Sequence, residues 1–358
     1  MKQTKRVAVH QRSLTVHLCC LLLACGGWGI GASASVTDEQ SGFVSITEEN
    51  DSLSNPFGTH QDRHYTQGLK LTLFGGDDCM PAVTNALNSF FPKWGIEPQA
   101  GDLGLILLGQ NMYTPNDLTN SAPIKTDRPY AGWLYTGAIY QRRGESAPNL
   151  ATMENFEVNV GMVGPDSIAQ QAQQTVHRWW FSNDVPTGWD HQIKNEGGLV
   201  LKYERLWRLS PTTNTMHYVD VIPRVGGDLG NVFTSATGGA MMRLGGNLPP
   251  DFGPQIIDSP GSVNGGLTRQ TPWCFGYAFG ALDGRAVGHD ITLDGNSFRS
   301  SASIQKNILV ADVSWGVALQ VFRHVEISYT HIIRTEEFRG QDGNDILGSL
   351  TIKGKFAL

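Results

Sequence analysis

The sequence predicts an all-β fold, an antiparallel transmembrane β-barrel of about twelve strands with a short helical segment near its functional site. Three observations carry this. The chain opens with an export signal. Its remainder is cut into strand-length pieces of alternating polarity. The last such piece runs to the C-terminus and ends in apolar residues, Phe356, Ala357 and Leu358. A half-buried strand alternates with period two, and in a barrel the apolar row faces lipid while the polar row faces the lumen.

Residues 1–34 read as the signal. Lys2, Lys5, Arg6 and Arg12 form a basic start, Leu18 to Cys25 an apolar core, and Ala32, Ser33 and Ala34 a small-residue cleavage site. Leu22 to Cys25 partly matches a lipoprotein box, a weaker reading. The domain then spans 35–358. Of 27 basic residues 4 lie in the signal, so 23 remain against 33 acidic ones, a net charge of about −10. That balance excludes nucleic acid as a partner. Cys79 and Cys274 are the two cysteines beyond the signal, and spacing does not say whether they pair.

Charged residues make up only 17% of the chain, and no apolar run after the signal is long enough for a membrane helix. The alternation is clearest in Leu69 to Phe74 (LKLTLF), Phe156 to Met162 (FEVNVGM) and Leu350 to Leu358 (LTIKGKFAL). It recurs at 196–208, 216–226, 273–283, 305–321 and 325–333. Phe74, Tyr113, Tyr130, Trp133, Tyr140, Trp207, Trp315 and Phe322 fall near strand ends, where interface girdles are expected. A soluble sandwich shares the alternation but needs no export signal or C-terminal strand of this kind.

One stretch breaks the pattern. Gly164 to His177 (GPDSIAQQAQQTVH) turns at Gly164-Pro165 and becomes helix-compatible, with Asp166 and Ser167 as helix-start residues. Gln173 and His177 are four apart and share one helical face. Gln and His on an exposed face suit a neutral base held at a membrane edge. They equally suit a plain polar surface ahead of Trp179 and Trp180.

The first strand ends in Glu48, Glu49, Asn50 and Asp51, a hard-oxygen cluster that suits Ca2+ better than Zn2+, or else a solvated strand end. Thr66, at the start of the second strand, is in phase with Lys70 and Thr72 and is expected to point inward. If the two strands pair, Asn50, Asp51 and Thr66 share a rim. Asp127 and Arg128 before Pro129 read as a turn whose charges tie down backbone. Trp189 reads as a packing aromatic and His191 as a secondary candidate base. No Gly-x-Ser-x-Gly elbow, His-Glu-x-x-His or phosphate loop is present. A hydrolase built from these parts would activate water with a base and hold the oxyanion with a metal.

Taken in order, several pieces resemble the outer-membrane lipid A 3′-O-deacylase family. They are Glu49-Asn50-Asp51, Tyr65-Thr66-x-Gly68-Leu69 and Tyr113-Thr114-Pro115. Asp127 to Trp133 (DRPYAGW), Gly164-Pro165 with Gln173 and His177, and Gly188-Trp189-x-x-Gln192-x-x-Asn195-Glu196 follow. Thr335-Glu336-Glu337-Phe338 and the final strand complete the set. The resemblance implies a barrel of about twelve strands in the bacterial outer membrane, with its site between lumen and bilayer. It implies Ca2+-dependent hydrolysis of the 3′-linked acyloxyacyl ester of lipid A. It makes His177 the base, Gln173 its orienting neighbour, Asn50 and Asp51 the Ca2+ residues, and Thr66 a helper. Basic residues that the family can carry after Tyr-Thr-Pro are missing here, since Asp117 is the sole charge in Asn116 to Ser121. A phospholipid esterase and a non-catalytic structural or pore barrel are the alternatives.

Overall fold

The computed structural model describes residues 41–54, 63–75, 80–148, 150–180, 185–210, 218–246, 248–257, 275–321 and 324–357. The signal, Cys79, Cys274 and Phe322 lie outside the described residues. Twelve antiparallel strands close into one barrel. They are β1 (Ser41–Asn50), β2 (His64–Gly75), β3 (Glu97–Thr114), β4 (Ala131–Ala147), β5 (Leu150–Val163) and β6 (Glu196–Arg208). The second half is β7 (Val219–Gly230), β8 (Phe233–Gly246), β9 (Phe275–Asp290), β10 (Leu309–Val321), β11 (Val325–Arg334) and β12 (Asp345–Ala357). Closure is the pairing of β1 with β12, from Ser41 opposite Ala357 to Asn50 opposite Gly348. A closed sheet leaves no unpaired edge, which a backbone inside a bilayer cannot tolerate.

Alternation sorts each strand into two faces. On β1, Phe43, Ser45, Thr47 and Glu49 are buried, while Val44 and Ile46 are exposed. The exposed row continues as Leu105, Val158, Val160, Leu199, Leu201 and Val313 on other strands. This apolar band is the lipid face. The lumen is packed with ion pairs. Lys70 meets Glu157 at 3.2 Å, Arg334 meets Asp312 at 3.0 Å, and Arg224 and Arg243 bind Asp283 and Asp220. Such pairs roughly offset their own desolvation, so they fix the register of the packing more than they add stability.

A strap from Leu248 to Ile257 also enters the lumen. Gln255 accepts from Ser45 at 3.0 Å through its side chain and from Thr351 at 3.2 Å through its carbonyl. The backbone N–H of Ile257 donates to Glu49 at 2.6 Å, and Asp251 pairs with Arg243. Above the strap a polar cavity remains, lined by Asn111, Trp133, Asn155, Lys202 and Glu204.

Two segments fold back over the outer face. Near the lower rim, which carries the termini of the described barrel, helix α1 (Pro81–Phe90) leads into Phe91, stacked 4.0 Å from Phe156. That segment covers the Arg142–Glu154 pair. Near the upper rim lies helix α2 (Ala169–Trp180), described below. A one-turn helix α3 (Ile291–Asp294) follows β9.

The girdle expectation is corrected at five positions. Phe74, Tyr113, Tyr130, Trp133 and Tyr140 are buried, and Phe74 stacks on Phe43 at 4.6 Å. Strand parity turns Phe74, Tyr113 and Trp133 inward, whereas Tyr140 is on the outward row of β4 under α1, its Oη donating to Asn88 at 2.6 Å, and Tyr130 precedes β4 and packs on Trp189. Trp315 is exposed, as a girdle residue would be.

Candidate active site on the outer face

The site is a groove on the outside of the barrel wall at the upper rim. Its floor is the paired ends of β1 and β2, where Asn50 faces Gln67 and Glu48 faces Leu69. Val44, Ile46, Glu48 and Asn50 form one outward row of β1. Leu73, Leu71, Leu69 and Gln67 form the matching row of β2. One wall is the 3-10 turn Asp51–Ser54, which lies on β12 and β11. Tyr329 Oη donates to the Leu53 carbonyl at 3.0 Å, and a Cβ on Gly348 would stand 2.6 Å from Leu53.

The opposite wall is α2, packed on the outer face of β3 and β4. Gln110 is on the outward row of β3, and its Nε2 donates to the Ser167 carbonyl at 2.7 Å, just ahead of the helix. Gly132 of β4 makes the close approach possible. A Cβ there would fall 2.0 Å from Ser167 Oγ and 2.5 Å from Ala169 Cβ. Met112, Tyr130, Ala169 and Trp189 pack as one small apolar cluster between helix and wall. Gly132→Val is expected to push α2 off the wall, read as a change in the fluorescence of Trp189 in the purified protein. The folded barrel would remain, because the outward face of β4 does not build the lumen. Unaltered fluorescence would show that α2 does not need this seat.

The helix begins later than Asp166 and Ser167 suggest. Those residues form a 3-10 turn (Pro165–Ser167), in which Ser167 Oγ caps the Gly164 carbonyl at 2.6 Å. Gly164, at φ 89°, sits in the left-handed region that favours glycine, and Ile168, at φ 53°, is left-handed too and separates that turn from α2. Gln173 and His177 keep their shared face, but it is the buried one, with Gln173 3% and His177 7% exposed. Trp179, two residues on, is 76% exposed. Gln173 Oε1 accepts from Trp189 Nε1 at 2.7 Å, and Trp189 packs on Tyr130 at 4.8 Å. So Trp189 is a packing aromatic that also fixes the amide one turn before His177. His191, by contrast, is exposed in the 3-10 turn Gly188–His191.

Thr66 does not point inward. A bulge inserts it between the Tyr65–Tyr113 and Gln67–Met112 pairs. An extra residue breaks the alternation. Tyr65 keeps the lumen side, donating to Glu49 at 3.1 Å, while Thr66 Oγ1 meets Thr114 Oγ1 at 2.6 Å. Thr114 shares the outward row of Gln110 and Met112, so Thr66 turns to the groove side. The four-residue acidic cluster also divides. Glu49 is luminal, bonded to Tyr65, Ser349 and Ile257, whereas Glu48 and Asn50 are outward. Asn50 Oδ1 accepts from the Ser52 N–H at 2.8 Å, and Asp51 Oδ2 from the Arg63 N–H at 2.9 Å. Sequence reasoning missed Gln110 and the Asp51–Ser54 wall, and it named Thr114 only within the family motif. A polar Gln110 between Leu108 and Met112 on the outward row was the available signal.

Asp127 and Arg128 tie down the rim, as their motif suggests. Asp127 accepts from the Asn116 and Arg128 N–H groups at 2.8 and 2.7 Å. Burial raises its carboxyl pKa, but these bonds and His64 outweigh that and hold it below the usual range. Arg128 is fully buried and donates to Glu337 at 3.0 Å and Thr292 at 2.8 Å.

A closed twelve-stranded barrel with an apolar outer band defines a membrane β-barrel. The chain belongs to the family described as outer membrane protein LpxR, whose profile matches residues 16–356. Among solved structures, LpxR from Salmonella typhimurium is similar, with 20% identity, a TM-score of 0.68, and coverage of 87% of this chain and 99% of that one. The β domain of the Bordetella autotransporter BrkA gives a TM-score of 0.40 at 10% identity, covering 90% of this chain and 100% of that one. No curated protein matches the chain. The protein is accordingly an outer-membrane barrel.

Proposed function

We propose that this protein is an esterase that hydrolyses the 3′-linked acyloxyacyl chain of lipid A, with His177 as the base. The observation that carries this is the placement of α2. It holds His177 on the buried face of a helix that packs on the outer side of β3 and β4, the side of the wall that meets lipid. The luminal cavity is on the other side of the wall, and the strap and ion pairs cross the lumen beside it, which disfavours a pore.

His177 takes a proton from water as the water oxygen bonds to the ester carbonyl carbon. The carbon–oxygen ester bond then breaks, and the departing alkoxide takes that proton from His177. An acid and an alcohol are formed. Gln173, fixed by Trp189, orients the base or the substrate from one turn away. Thr66, bonded to Thr114, contributes a hydroxyl to the same side of the wall.

Asn50 and Asp51 offer an amide and a carboxylate oxygen, a donor set that fits Ca2+. Among the described residues, no three His, Cys, Asp or Glu side chains converge. Bound there, Ca2+ supplies Lewis acidity at an ester carbonyl.

The test is mass spectrometry of lipid A from cells with and without the protein, with Ca2+ or chelator. Loss of an acyloxyacyl mass only with protein and Ca2+ is the expected result. Lipid A of unchanged acyl count with shortened phospholipids would make it a phospholipid esterase. No change in either lipid, with the barrel inserted, would leave a non-catalytic barrel.

A further inference from the structure

The outward rows of β1 and β2 contain Val44, Ile46, Leu69, Leu71 and Leu73, all apolar as lipid requires. Glu48 interrupts them. It lies one residue pair below Asn50, about 7 Å further from the rim by strand rise. A carboxylate on the lipid face of a barrel is unfavourable, and an acid retained there needs a reason. Glu48 is not spare lumen charge, since that role falls to Glu49, with three partners of its own. Among the described residues the hydrogen bond of Glu48 is to Gln67, whose Nε2 donates to Oε1 at 3.0 Å. Gln67 thereby fixes one oxygen, and the other, Oε2, has no hydrogen bond among the described residues.

A fixed carboxylate oxygen accepts hydrogen bonds and donates none. We propose that Glu48 is a specificity-determining positioning residue. Its Oε2 accepts a hydrogen bond from the amide N–H or hydroxyl beside the scissile ester of an acylated amino sugar. In such a lipid the amide-bearing carbon is next to the ester-bearing one, so ester and donor enter the groove together. A diacyl glycerophospholipid has only esters at this depth and cannot satisfy the carboxylate. Leaving a buried acceptor without its donor is the strong form of discrimination. Glu48 thus selects amide-bearing glycolipid over glycerophospholipid. The inference rests on the lipid A reading above and narrows it to a residue.

The experiment uses the purified full barrel in detergent–lipid micelles with Ca2+, as wild type, Glu48→Ala and Glu48→Gln. Lipid A turnover is measured alone and with phosphatidylcholine, which has no N–H or O–H donor, as competitor. Folding is checked by the heat-dependent gel shift of the barrel. For Glu48→Ala, kcat/KM on lipid A falls about tenfold or more, mainly through KM, as for loss of a charge-assisted hydrogen bond. Phosphatidylcholine competes no less well than before, so the preference narrows. Glu48→Gln keeps an acceptor oxygen and loses less. The half-saturating Ca2+ concentration does not move. Unchanged lipid A kinetics in a folded Glu48→Ala would overturn the inference, as would equal weakening of both lipids. A shift in Ca2+ dependence would make Glu48 a metal residue instead. Wild type that leaves lipid A intact removes the parent reading and this one together, whereas active wild type with an unaffected variant removes this one alone.

Discussion

His177→Ala slows lipid A deacylation by about two to four orders of magnitude, the usual contribution of a positioned general base. The barrel should insert and fold as before. His177 is on α2, outside the wall whose strands build the barrel. Gln173→Ala should cost less but not little. It strips the Trp189 indole N–H of its acceptor, and Trp189 is fully buried. An unpaired buried donor costs about 1–3 kcal/mol, and the helix turn carrying the base would shift to relieve it. Initial rates on purified lipid A, read by mass spectrometry, separate the two. Wild-type rates in His177→Ala would make the residue structural and direct attention to the exposed His191.

How much of this arrangement was legible before the structure depended on where alternation is unbroken. LKLTLF, FEVNVGM and LTIKGKFAL became β2, β5 and β12, and the segment 196–208 became β6 with the same bounds. β3 was not singled out, because register shifts between Ile106 and Gly109 break its period. β8 (FTSATGGAMMRLGG) was hidden by small residues that show no preference for either face. At the site, the four-residue spacing of Gln173 and His177 survived intact. Their burial did not follow from it, because spacing fixes which residues share a helix face and not what that face meets. Thr66 was misread for a related reason. One bulge residue reverses parity, and nothing in Tyr65-Thr66-Gln67 announces a bulge. Asn50 and Asp51 were correctly brought to one rim with Thr66, but the groove walls come from β12 and α2, nearly 300 and about 120 residues away in the chain.

Arg128→Ala should destabilise the upper rim more than any other single rim change. Its guanidinium is fully buried, bonded to Glu337 and Thr292, and 4.6 Å from the Tyr113 ring. Removing one member of a buried ion pair typically costs about 3–5 kcal/mol. Arg285 and Arg334 also approach Glu337, each at 3.5 Å, so the lower end of that range is expected. Arg128→Lys should recover only part, since one ammonium cannot reproduce the planar fork that reaches both partners. The pH dependence has a definite sign. Burial alone would raise the Glu337 pKa, but Arg334, Arg128 and Arg285 bring it down to about 2 from 4.5. A depressed carboxylate pKa gives stability that is complete above the ordinary value and lost as pH falls through the folded one. The rim of the wild type should thus weaken between about pH 4.5 and 2. In Arg128→Ala, with one of three guanidinium groups gone, that loss should begin at higher pH. Urea unfolding followed by tryptophan fluorescence at pH 7, 4 and 3 would show it, and coincident acid profiles would refute it. Activity should fall as well. Arg128 and Tyr130 are two residues apart, and Tyr130 supports Trp189, which holds Gln173. The luminal clasp and the outer-face base are therefore two ends of one short stretch of chain, and loosening the first displaces the second.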